Sequence, residues 1–498
     1  MDEKDKSHSP PSSDDLEVGD VDKGSAVALG RGARAEVKIF NKKIYIDLRL
    51  LPLVFVLAVA VGILAYFQLR EDIPDTMQGE FNVAIAEFTV LDENGTVIHS
   101  DEGMKLAQWL YQRLNHNFSE LDIQYEIWPP NYTGKIDGST AAEREIEAEA
   151  RAKEIQAHVV IYGIITASGD HSKFSPEFFV NTSGFDEGEE ITGQHELGDA
   201  LLIALPFDPN QLQDVENPAL SARAEALSLI AVGLAYYSID AFDSAISYFS
   251  KAEAITGWRK TAGKEVVYLL LGNANVRLSS KEKTPKYLEA SLNFYNAALI
   301  VNPEYTRAIL GQASTEYLLA LGNPNNTTFT DVDLKLLDSS KEKFKQALEF
   351  GDPPKSANVE AKVHFGLGQI YLVREQVLGE NLLVKAKSEF EQVINEYENG
   401  NERIANIAGH AYARLGLIAR LENNTSQALN LYKNAVNLVS PFYQAYYTTR
   451  IGEVYVATGE TNLAITAYED AIQIAEFYGD ESSIEKYLMR LNELKKLQ

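Results

Sequence analysis

A recurring spacing of small and aromatic residues in the second half of the chain constrains the fold more than any other feature of the sequence. In three segments a glycine is followed after twelve residues by an alanine, then after four by an aromatic residue, and after three more by a second alanine. The three sets are Gly233, Ala245, Phe249 and Ala252; Gly416, Ala428, Tyr432 and Ala435; and Gly452, Ala464, Tyr468 and Ala471. The pattern contains no histidine, cysteine or carboxylate, so it indicates packing rather than chemistry.

Helix packing explains this spacing. Two antiparallel helices approach closely where facing residues are small, which accounts for the glycine on one helix and the alanine on the next. The aromatic residue and the second alanine follow on the same helix face. Three further segments keep the scheme with insertions: Gly272 with Ala290, Phe294 and Ala297; Gly311 with Ser340, Phe344 and Ala347; and Gly368 with Ala386 and Phe390. The second half of the chain is therefore predicted to be all-α.

These six segments resemble tetratricopeptide (TPR) repeats, whose period is about 34 residues. The resemblance covers residues 223–480 and implies an α-solenoid of about six helix pairs. Residues 481–498 would then form the capping helix that covers the last apolar face. The sequence departs from the family in insertions near 279–286 and 322–338. The resemblance implies a curved inner surface that holds a protein or peptide partner.

The first helix of each pair should line that inner surface. From the glycine register we predict eight partner-binding residues: Asn273, Arg277, Gln312, Glu316, Gln369, Arg420, Tyr446 and Glu453. Chaperone-binding repeats that resemble these carry a lysine three residues before the glycine, where it clamps a peptide carboxylate. The residues at that position here are Ile230, Leu269, Ala308, Phe365, Ala413 and Thr449. We therefore do not expect the C-terminal acidic tail of a chaperone as the partner.

A membrane anchor is predicted near the N-terminus. Residues 50–68 carry no charge and are long enough to cross roughly 30 Å of hydrocarbon as a single transmembrane helix. Basic residues precede this run and acidic residues follow it, so the positive-inside rule places the N-terminus in the cytoplasm and the later domains outside the cell membrane. Residues 1–36 have the composition of a disordered cytoplasmic tail, and residues 37–49 form a basic juxtamembrane segment.

A small α/β domain is predicted between the anchor and the solenoid, over residues 81–204, with linkers at 69–80 and 205–222. The segments FNVAIAEFTV, IQYEIW and HVVIYGIITA have strand patterns, and two helical patterns lie between them. The predicted order is β-α-β-α-β. The strands VAIAEF and AHVVIYGII resemble those of TolB N-terminal and CsgG-like envelope domains. That resemblance implies an assembly or adaptor domain of a bacterial envelope.

The composition excludes several partners and chemistries. The formal net charge of −27 disfavours nucleic acid, because binding to phosphates depends on lysine and arginine. The absence of cysteine excludes disulfides, thiolate metal sites and cysteine nucleophiles. His195 lacks the second histidine that a zinc-binding helix needs, and His158 opens a buried strand as a structural residue. We therefore predict no catalytic, cofactor-binding or metal-binding residues, and no enzyme.

Two functions remain open at this stage. The first is a membrane-anchored scaffold for protein–protein interaction that presents its solenoid outside the cytoplasmic membrane. The alternative is a single-pass receptor whose α/β domain binds a small molecule. The oligomeric state, the partner and the arrangement of the two outer domains do not follow from the sequence.

Overall fold

The computed structural model describes most of the chain after residue 74 and a short part before it. The described residues are 34–39, 42–47, 75–118, 122–168, 171–182, 185, 188, 190–208, 218–256, 263–282, 284–322, 331–350 and 358–496. The chain divides into two units, Met1–Pro74 and Asp75–Gln498, and each is treated by itself below.

The described part of the first unit is a β-hairpin. Strand β1 (Arg34–Ile39) pairs antiparallel with β2 (Lys42–Asp47). The sequence RAEVKI alternates charged and apolar residues, as the two-residue period of a strand requires. The sequence prediction placed residues 34–36 at the end of the disordered tail and residues 37–47 in the basic juxtamembrane segment, and it assigned no strand to either. The predicted transmembrane helix at 50–68 lies outside the described residues.

The second unit begins with a small α/β domain, as predicted. Its strands are β3 (Phe81–Ile85), β4 (Thr89–Leu91), β5 (Val97–Ile98), β6 (Tyr125–Trp128), β7 (Val159–Ser168), β8 (His171–Val180), β9 (Gly193–Glu196) and β10 (Leu201–Ile203). Its helices are α1 (Glu102–Phe118), α2 (Pro130–Thr133) and α3 (Ala141–Ile155). The predicted β-α-β-α-β elements occur in that order, but β4, β5 and α2 are inserted among them, and β8 to β10 follow.

The sheet has a parallel and an antiparallel half. Its central order is β10-β8-β7-β3-β6, with β3 parallel to both β6 and β7, and β8 antiparallel to β7. Alternate residues of β3 face opposite sides. Val83 and Ile85 belong to the core that contains α1, whereas Ala84 packs in the core that contains Ala148 and Ala152 of α3. The two helices therefore cover opposite faces of the sheet.

A capping box begins α3. Thr140 Oγ1 accepts a hydrogen bond from Glu143 N (3.2 Å), and Glu143 Oε2 accepts one from Thr140 N (3.0 Å). The two side chains satisfy backbone donors that the first turn of a helix leaves without partners. This fixes the start of the helix that later contacts the solenoid.

Six antiparallel helix pairs and one further helix follow. The pairs are α4 (Pro218–Ser238) with α5 (Phe242–Glu253), α6 (Lys264–Glu282) with α7 (Lys286–Val301), α8 (Thr306–Ala320) with α9 (Leu334–Phe350), α10 (Val359–Leu378) with α11 (Leu383–Glu398), α12 (Ala405–Leu421) with α13 (Thr425–Leu438), and α14 (Pro441–Thr458) with α15 (Thr461–Phe477). Helix α16 (Glu481–Lys495) packs against α15, as expected for a cap. The first pair begins at Pro218, inside the predicted linker 205–222.

In four pairs the glycine packs against the aromatic ring of the second helix, whereas the prediction had it facing the alanine. A Cβ built on the glycine would lie between 2.3 Å and 3.0 Å from the ring of its partner. The pairs of residues are Gly233 with Phe249, Gly368 with Phe390, Gly416 with Tyr432, and Gly452 with Tyr468. A side chain at these glycines would have to displace the ring, which is why the pattern repeats.

The predicted register of the second pair is wrong by one residue. Two sets of residues on α7 share the required spacing. The prediction took Ala290, Phe294 and Ala297 as the inward set. The structure buries the neighbouring set, Ser291, Tyr295 and Ala298. The Tyr295 ring packs on Gly272, and its hydroxyl donates to the buried Asn273 Oδ1. Sequence spacing alone could not choose between the sets, because only the second places a hydroxyl at this acceptor.

The small residue of the third pair is also corrected. Ser340 Oγ of α9 donates a hydrogen bond to Ala313 O (2.7 Å), so Ala313 rather than Gly311 faces the second helix. Gly311 faces the preceding pair, where a Cβ would lie 2.4 Å from Tyr295 Cζ. Gly366 contacts the ring of Phe344 in the same way. First helices α8 and α10 thus carry two small positions, one toward each neighbour.

Helix α4 is apolar enough to cross a membrane by length and composition, with a mean hydropathy of 1.3. Of its most apolar window, 72% is buried inside the protein. Its buried residues include Leu227, Ile230 and Leu234. The hydropathy of α4 is explained by its place in the core.

The α/β domain and the first helix pairs share one hydrophobic core. A single cluster of buried residues contains Leu110 of α1, Leu227 of α4 and Leu270 of α6. The sheet residue Phe81 belongs to the same cluster. The sequence left open whether the two domains pack together, and this core joins them.

Candidate functional site on the inner surface of the solenoid

Corresponding positions on the first helices form rows across the inner surface. One row, six residues before the small residue of each pair, consists of Leu227, Val266, Arg307, Lys362, His410 and Tyr446. A second row, two residues before it, consists of Ala231, Leu270, Gly311, Gly366, Arg414 and Arg450. Both rows change from apolar residues in the first two pairs to charged and aromatic residues in the last two.

The inner surface of the first two pairs is buried against the α/β domain. Leu227 and Leu270 belong to the shared core and are almost fully buried. Leu227 lines the contact with Trp109 and Leu110 of α1. This part of the inner surface is therefore occupied by the chain itself.

Arg307 of α8 fixes the third pair to the edge of the sheet. Its side chain donates hydrogen bonds to Thr192 O (2.8 Å) and Gln194 O (3.3 Å), next to and within β9. Arg307 is 8% exposed, so these carbonyls satisfy a guanidinium that would otherwise be buried at high cost. Burial, reinforced by the charges of Arg307 and Lys362, lowers the pKa of His195 well below its ordinary value. His195 is therefore neutral.

Arg403, just before α12, forms a second link between solenoid and α/β domain. Its guanidinium donates to Glu145 Oε1 (2.9 Å) and Glu149 Oε1 (3.0 Å), both on α3. Burial raises the pKa of Glu149, but the hydrogen bond and charge of Arg403 outweigh it and hold this pKa below its ordinary value. The contact spans more than 250 residues of sequence and is an ion-pair network rather than an isolated surface pair.

The last two pairs present a group of cationic and aromatic side chains that we call the arginine–tyrosine patch. Its members are Arg414, Arg420, Tyr443, Tyr446, Tyr447 and Arg450. All lie on α12 or α14, and all except the buried Tyr447 are partly exposed. The two first helices place them side by side, because corresponding positions of stacked helices are neighbours.

Glu453 organises one half of the patch. Its carboxylate accepts hydrogen bonds from Arg420 Nη1 at Oε2 (2.6 Å) and from Arg450 Nη1 at Oε1 (2.7 Å). Arg450 also donates to Tyr446 Oη (2.8 Å), and its Cζ lies 4.5 Å from the centre of that ring. One carboxylate thus bridges two arginines.

His410 lies in the other half. Its Nδ1 is 2.8 Å from Tyr447 Oη, and its ring contacts Tyr443 edge-on at 4.6 Å between centres. Burial and the nearby charge of Arg414 lower the pKa of His410 to about 3. His410 is therefore neutral at physiological pH and adds no charge to the patch.

Three of the predicted partner-binding residues serve packing within the solenoid. Asn273 is 2% exposed and accepts the Tyr295 hydroxyl, and Gln312 is 6% exposed. Gln312 Nε2 donates to Asn296 Oδ1 (2.6 Å). Glu316 forms an ion pair with Lys343 on α9 (2.6 Å). These polar side chains join neighbouring helices.

The other five lie at the surface to different degrees. Arg277 is near Asp240 (3.9 Å) and stacks over Phe242 in the first pair. Gln369 is partly exposed on α10. Arg420, Tyr446 and Glu453 come together in or beside the arginine–tyrosine patch, as already described. Their contact with a partner remains a prediction.

Sequence reasoning missed Arg307, Arg403 and Arg414. Arg414 stands two residues before Gly416, and Arg450 holds the same position before Gly452. The shared position could have indicated a cationic surface from the sequence alone, because residues at the same position of successive repeats lie on the same surface. Arg403 gave no such signal, since its partners lie in another domain.

The described residues offer no arrangement for metal chemistry. Among them, no group of three or more histidine, aspartate or glutamate side chains is placed to hold a metal ion. His158, predicted as structural, accepts a hydrogen bond at Nδ1 from Asn82 N (2.9 Å). A cavity of about 10 Å³ lies between α1 and α4, lined by Trp109 and Leu227 among others. It has the room of about one water molecule.

Comparison with known proteins gives similarity of fold over part of the chain. No protein-family model and no curated protein matches the sequence. The Cut9–Hcn1 hetero-tetramer of APC/C is similar at 15% identity and a TM-score of 0.40, over 56% of this chain and 44% of that chain. This chain thus spans less than half the length of that protein.

Two bacterial structures are similar over comparable stretches. PilF of Pseudomonas aeruginosa matches at 14% identity over 54% of this chain and 99% of its own, with a TM-score of 0.34. A tetratricopeptide repeat protein of Parabacteroides merdae matches at 16% identity over 53% of this chain and 84% of its own, with a TM-score of 0.35. Six helix pairs among the described residues, with contacts between small residues and rings, make up the solenoid.

Proposed function

We propose that the chain is an interaction scaffold that holds a protein partner on the inner surface of its last two helix pairs. One observation carries this proposal. The inner surface of the first pairs is covered by the chain's own α/β domain, whereas Arg414, Arg450 and Tyr446 remain partly exposed on α12 and α14. Arginine and tyrosine are enriched where proteins bind one another, since both offer large contact areas with polar ends.

Photo-crosslinking tests the scaffold. A photoreactive amino acid is placed at Leu417 and Tyr443, which are partly exposed on the first helices of the last two pairs, and at Glu391 and Lys433 on second helices as controls. We expect a discrete protein to be captured from the first two positions and not from the controls. Capture of the same neighbours from all four positions would contradict the proposal.

The scaffold is further proposed to be anchored in a membrane by residues 50–68, with the solenoid outside the cytoplasm. The uncharged run and the basic residues before it support this. Because the chain has no cysteine, single introduced cysteines report location. In intact cells we expect an impermeant maleimide to label Lys433→Cys but not Ser9→Cys. Labelling of Ser9→Cys alone would mean that the orientation is the reverse of the one proposed. Equal labelling of both positions would contradict the proposed membrane anchor.

Nothing in the described α/β domain favours the receptor alternative. The cavity beside Trp109 has room for one water and not for a small-molecule ligand. The scaffold is also not proposed to be an enzyme.

A further inference from the structure

We propose that Arg414 binds a side-chain carboxylate from an internal acidic segment of the partner. This inference deepens the proposed function and rests on it, because it names the chemistry that the arginine–tyrosine patch recognises. Arg414 lies at the middle of that patch, on α12, two residues before Gly416.

Arg414 contrasts with the ion-paired arginines of the described chain. Its Nε is shielded from solvent and has no hydrogen-bond acceptor among the described residues, and no carboxylate there pairs with its guanidinium. By contrast, Arg144 binds Glu177, and Arg403 binds Glu149. A shielded Nε without an acceptor is costly, while the partly exposed rest of the guanidinium can be reached from outside, so binding an anion would recover energy that the isolated chain does not have.

Glu453 shows what the same surface does with a carboxylate. It bridges Arg420 and Arg450 with one oxygen to each, at 2.6 Å and 2.7 Å. Arg420 and Arg450 share this one glutamate, so the three arginines of the patch outnumber the carboxylate that pairs with them. A further carboxylate at Arg414 would repeat an arrangement already present one helix away.

The surroundings of Arg414 suit an anion. Four tyrosines lie close enough to interact electrostatically with the guanidinium: Tyr317, Tyr443, Tyr446 and Tyr447. Phenolic hydroxyls can donate to a carboxylate as well as accept. The neighbouring His410 is neutral, so it does not compete with the arginine for the anion. A planar guanidinium matches a carboxylate with two parallel hydrogen bonds.

The anion is assigned to a side chain rather than to a chain terminus. Clamping of a terminal carboxylate by repeats of this kind uses a lysine three residues before the small residue. In the last two pairs those residues are Ala413 and Thr449. An internal acidic segment can run along α12 and α14 without placing its end at any one position.

Peptide binding tests the assignment on the full-length chain in mild detergent. The probe is a fluorescein-labelled peptide of five Glu–Ala repeats with amidated C-terminus, measured by fluorescence polarisation at low salt. A matched peptide of five Gln–Ala repeats lacks the charge, and a third replaces one glutamate with phosphoserine. The chain has a net charge of −27, so a bound acidic peptide reports a local cationic site rather than general attraction.

We expect the glutamate peptide to bind and Arg414→Ala to weaken it at least about tenfold, which corresponds to about 1.4 kcal/mol. Arg414→Lys should recover only part of the affinity, because an ammonium lacks the two-pronged geometry. Arg490→Ala is the matched control, since Arg490 is an exposed arginine paired with Glu493. This control should bind as the unmodified chain does.

Three outcomes would overturn the assignment: equal binding of the glutamine peptide, unchanged binding by Arg414→Ala, or binding of the phosphoserine peptide alone. Circular dichroism of each variant checks that it is folded, and Arg414→Lys retains a cation if the alanine variant is not. The crosslink from Leu417 is repeated in Arg414→Ala. If a partner is still captured there and peptide binding is unchanged, the proposed scaffold function is supported and the proposed carboxylate site is wrong. If no partner is captured from Leu417 even when Arg414 is unchanged, the proposed scaffold function is contradicted.

Discussion

At the scale of single residues, the solenoid depends on glycines that admit aromatic rings. Gly366 is one of two equally tight examples: a Cβ there would lie 2.3 Å from Phe344 Cζ, as a Cβ at Gly233 would from Phe249 Cε1. At Gly416 the corresponding distance to Tyr432 Cε1 is 3.0 Å. These glycines lie inside helices, where alanine is intrinsically preferred by about 1 kcal/mol. Whether an alanine substitution raises or lowers the free energy of unfolding therefore depends on how far the ring must move.

Gly366→Ala should lower the free energy of unfolding by about 1–3 kcal/mol, because its methyl group overpacks the Phe344 ring. Gly416→Ala, the same chemical change, should be close to neutral, since helix preference offsets a milder contact. Urea unfolding followed by circular dichroism compares the two. Equal changes in both variants would mean that the rings adjust freely.

His410 makes stability depend on pH. Its pKa is about 3 when folded and about 6.5 when unfolded, so the unfolded chain binds a proton that the folded chain does not. Stability is therefore unaffected above the unfolded pKa and falls as the pH drops from about 6.5 toward 3, by up to about 1.4 kcal/mol per pH unit. His410→Gln should reduce the dependence of the free energy of unfolding on pH between about pH 6 and about pH 4. Replacing the exposed His99 is the control, and equal slopes in the two variants would contradict the expectation.

The packing residues of a repeat could be predicted from the sequence where only one set of residues has the required spacing. The helix pair that contains Gly233 and Phe249 follows from spacing, although the contact of the glycine with the ring was not predicted. The choice between Phe294 and Tyr295 did not, because it depends on a buried acceptor on another helix. The repeat position that Arg414 shares with Arg450 could have been read from the sequence, whereas the shielding of its Nε could not.

At the scale of elements, α3 and the entrance to α12 are joined by charge. Arg403 holds both Glu145 and Glu149 of α3. The helices themselves were predicted from their periodicity. Their contact was not, because it depends on the path of the solenoid, which short-range patterns do not encode. Such contacts between domains are the part of this fold that only a structure supplies.

Arg403→Glu should release α3 by placing three carboxylates together. We expect amide exchange within Ala141–Ile155 to accelerate at least about tenfold, equivalent to about 1.4 kcal/mol of local stability. Arg490→Glu, which reverses an exposed charge on α16, is the control and should leave α3 unchanged. Hydrogen–deuterium exchange read by mass spectrometry measures both. Unchanged exchange in α3 would mean that apolar packing alone holds it.

At the scale of the whole second unit, the α/β domain depends on the solenoid for its core. Leu227 of α4 contacts the region of Trp109 in α1. Leu227→Ala should therefore destabilise the α/β domain by about 2–5 kcal/mol, although it lies outside that domain. In a Trp258→Phe background, the remaining tryptophans Trp109 and Trp128 report only on the α/β domain. Their fluorescence in urea should shift to a lower midpoint.

The matched control is Leu337→Ala in α9, a fully buried leucine in a separate cluster of the solenoid. It should lower helical stability measured by circular dichroism and leave the midpoint of tryptophan fluorescence nearly unchanged. If both variants shift the fluorescence equally, the unit unfolds as one. If neither does, the α/β domain folds independently.

Division of the inner surface gives the solenoid two unequal roles. The first pairs act as a socket, built once to fit one particular insert, and any change there must be matched in the α/β domain. The last two pairs carry fewer such obligations, because the hydrogen bonds of Arg420, Arg450 and Glu453 stay within α12 and α14. Exchange of α12 to α15 for other helix pairs could therefore redirect the protein to a new client while leaving the socket intact. The boundary between what is fixed and what is exchangeable would fall near Arg403.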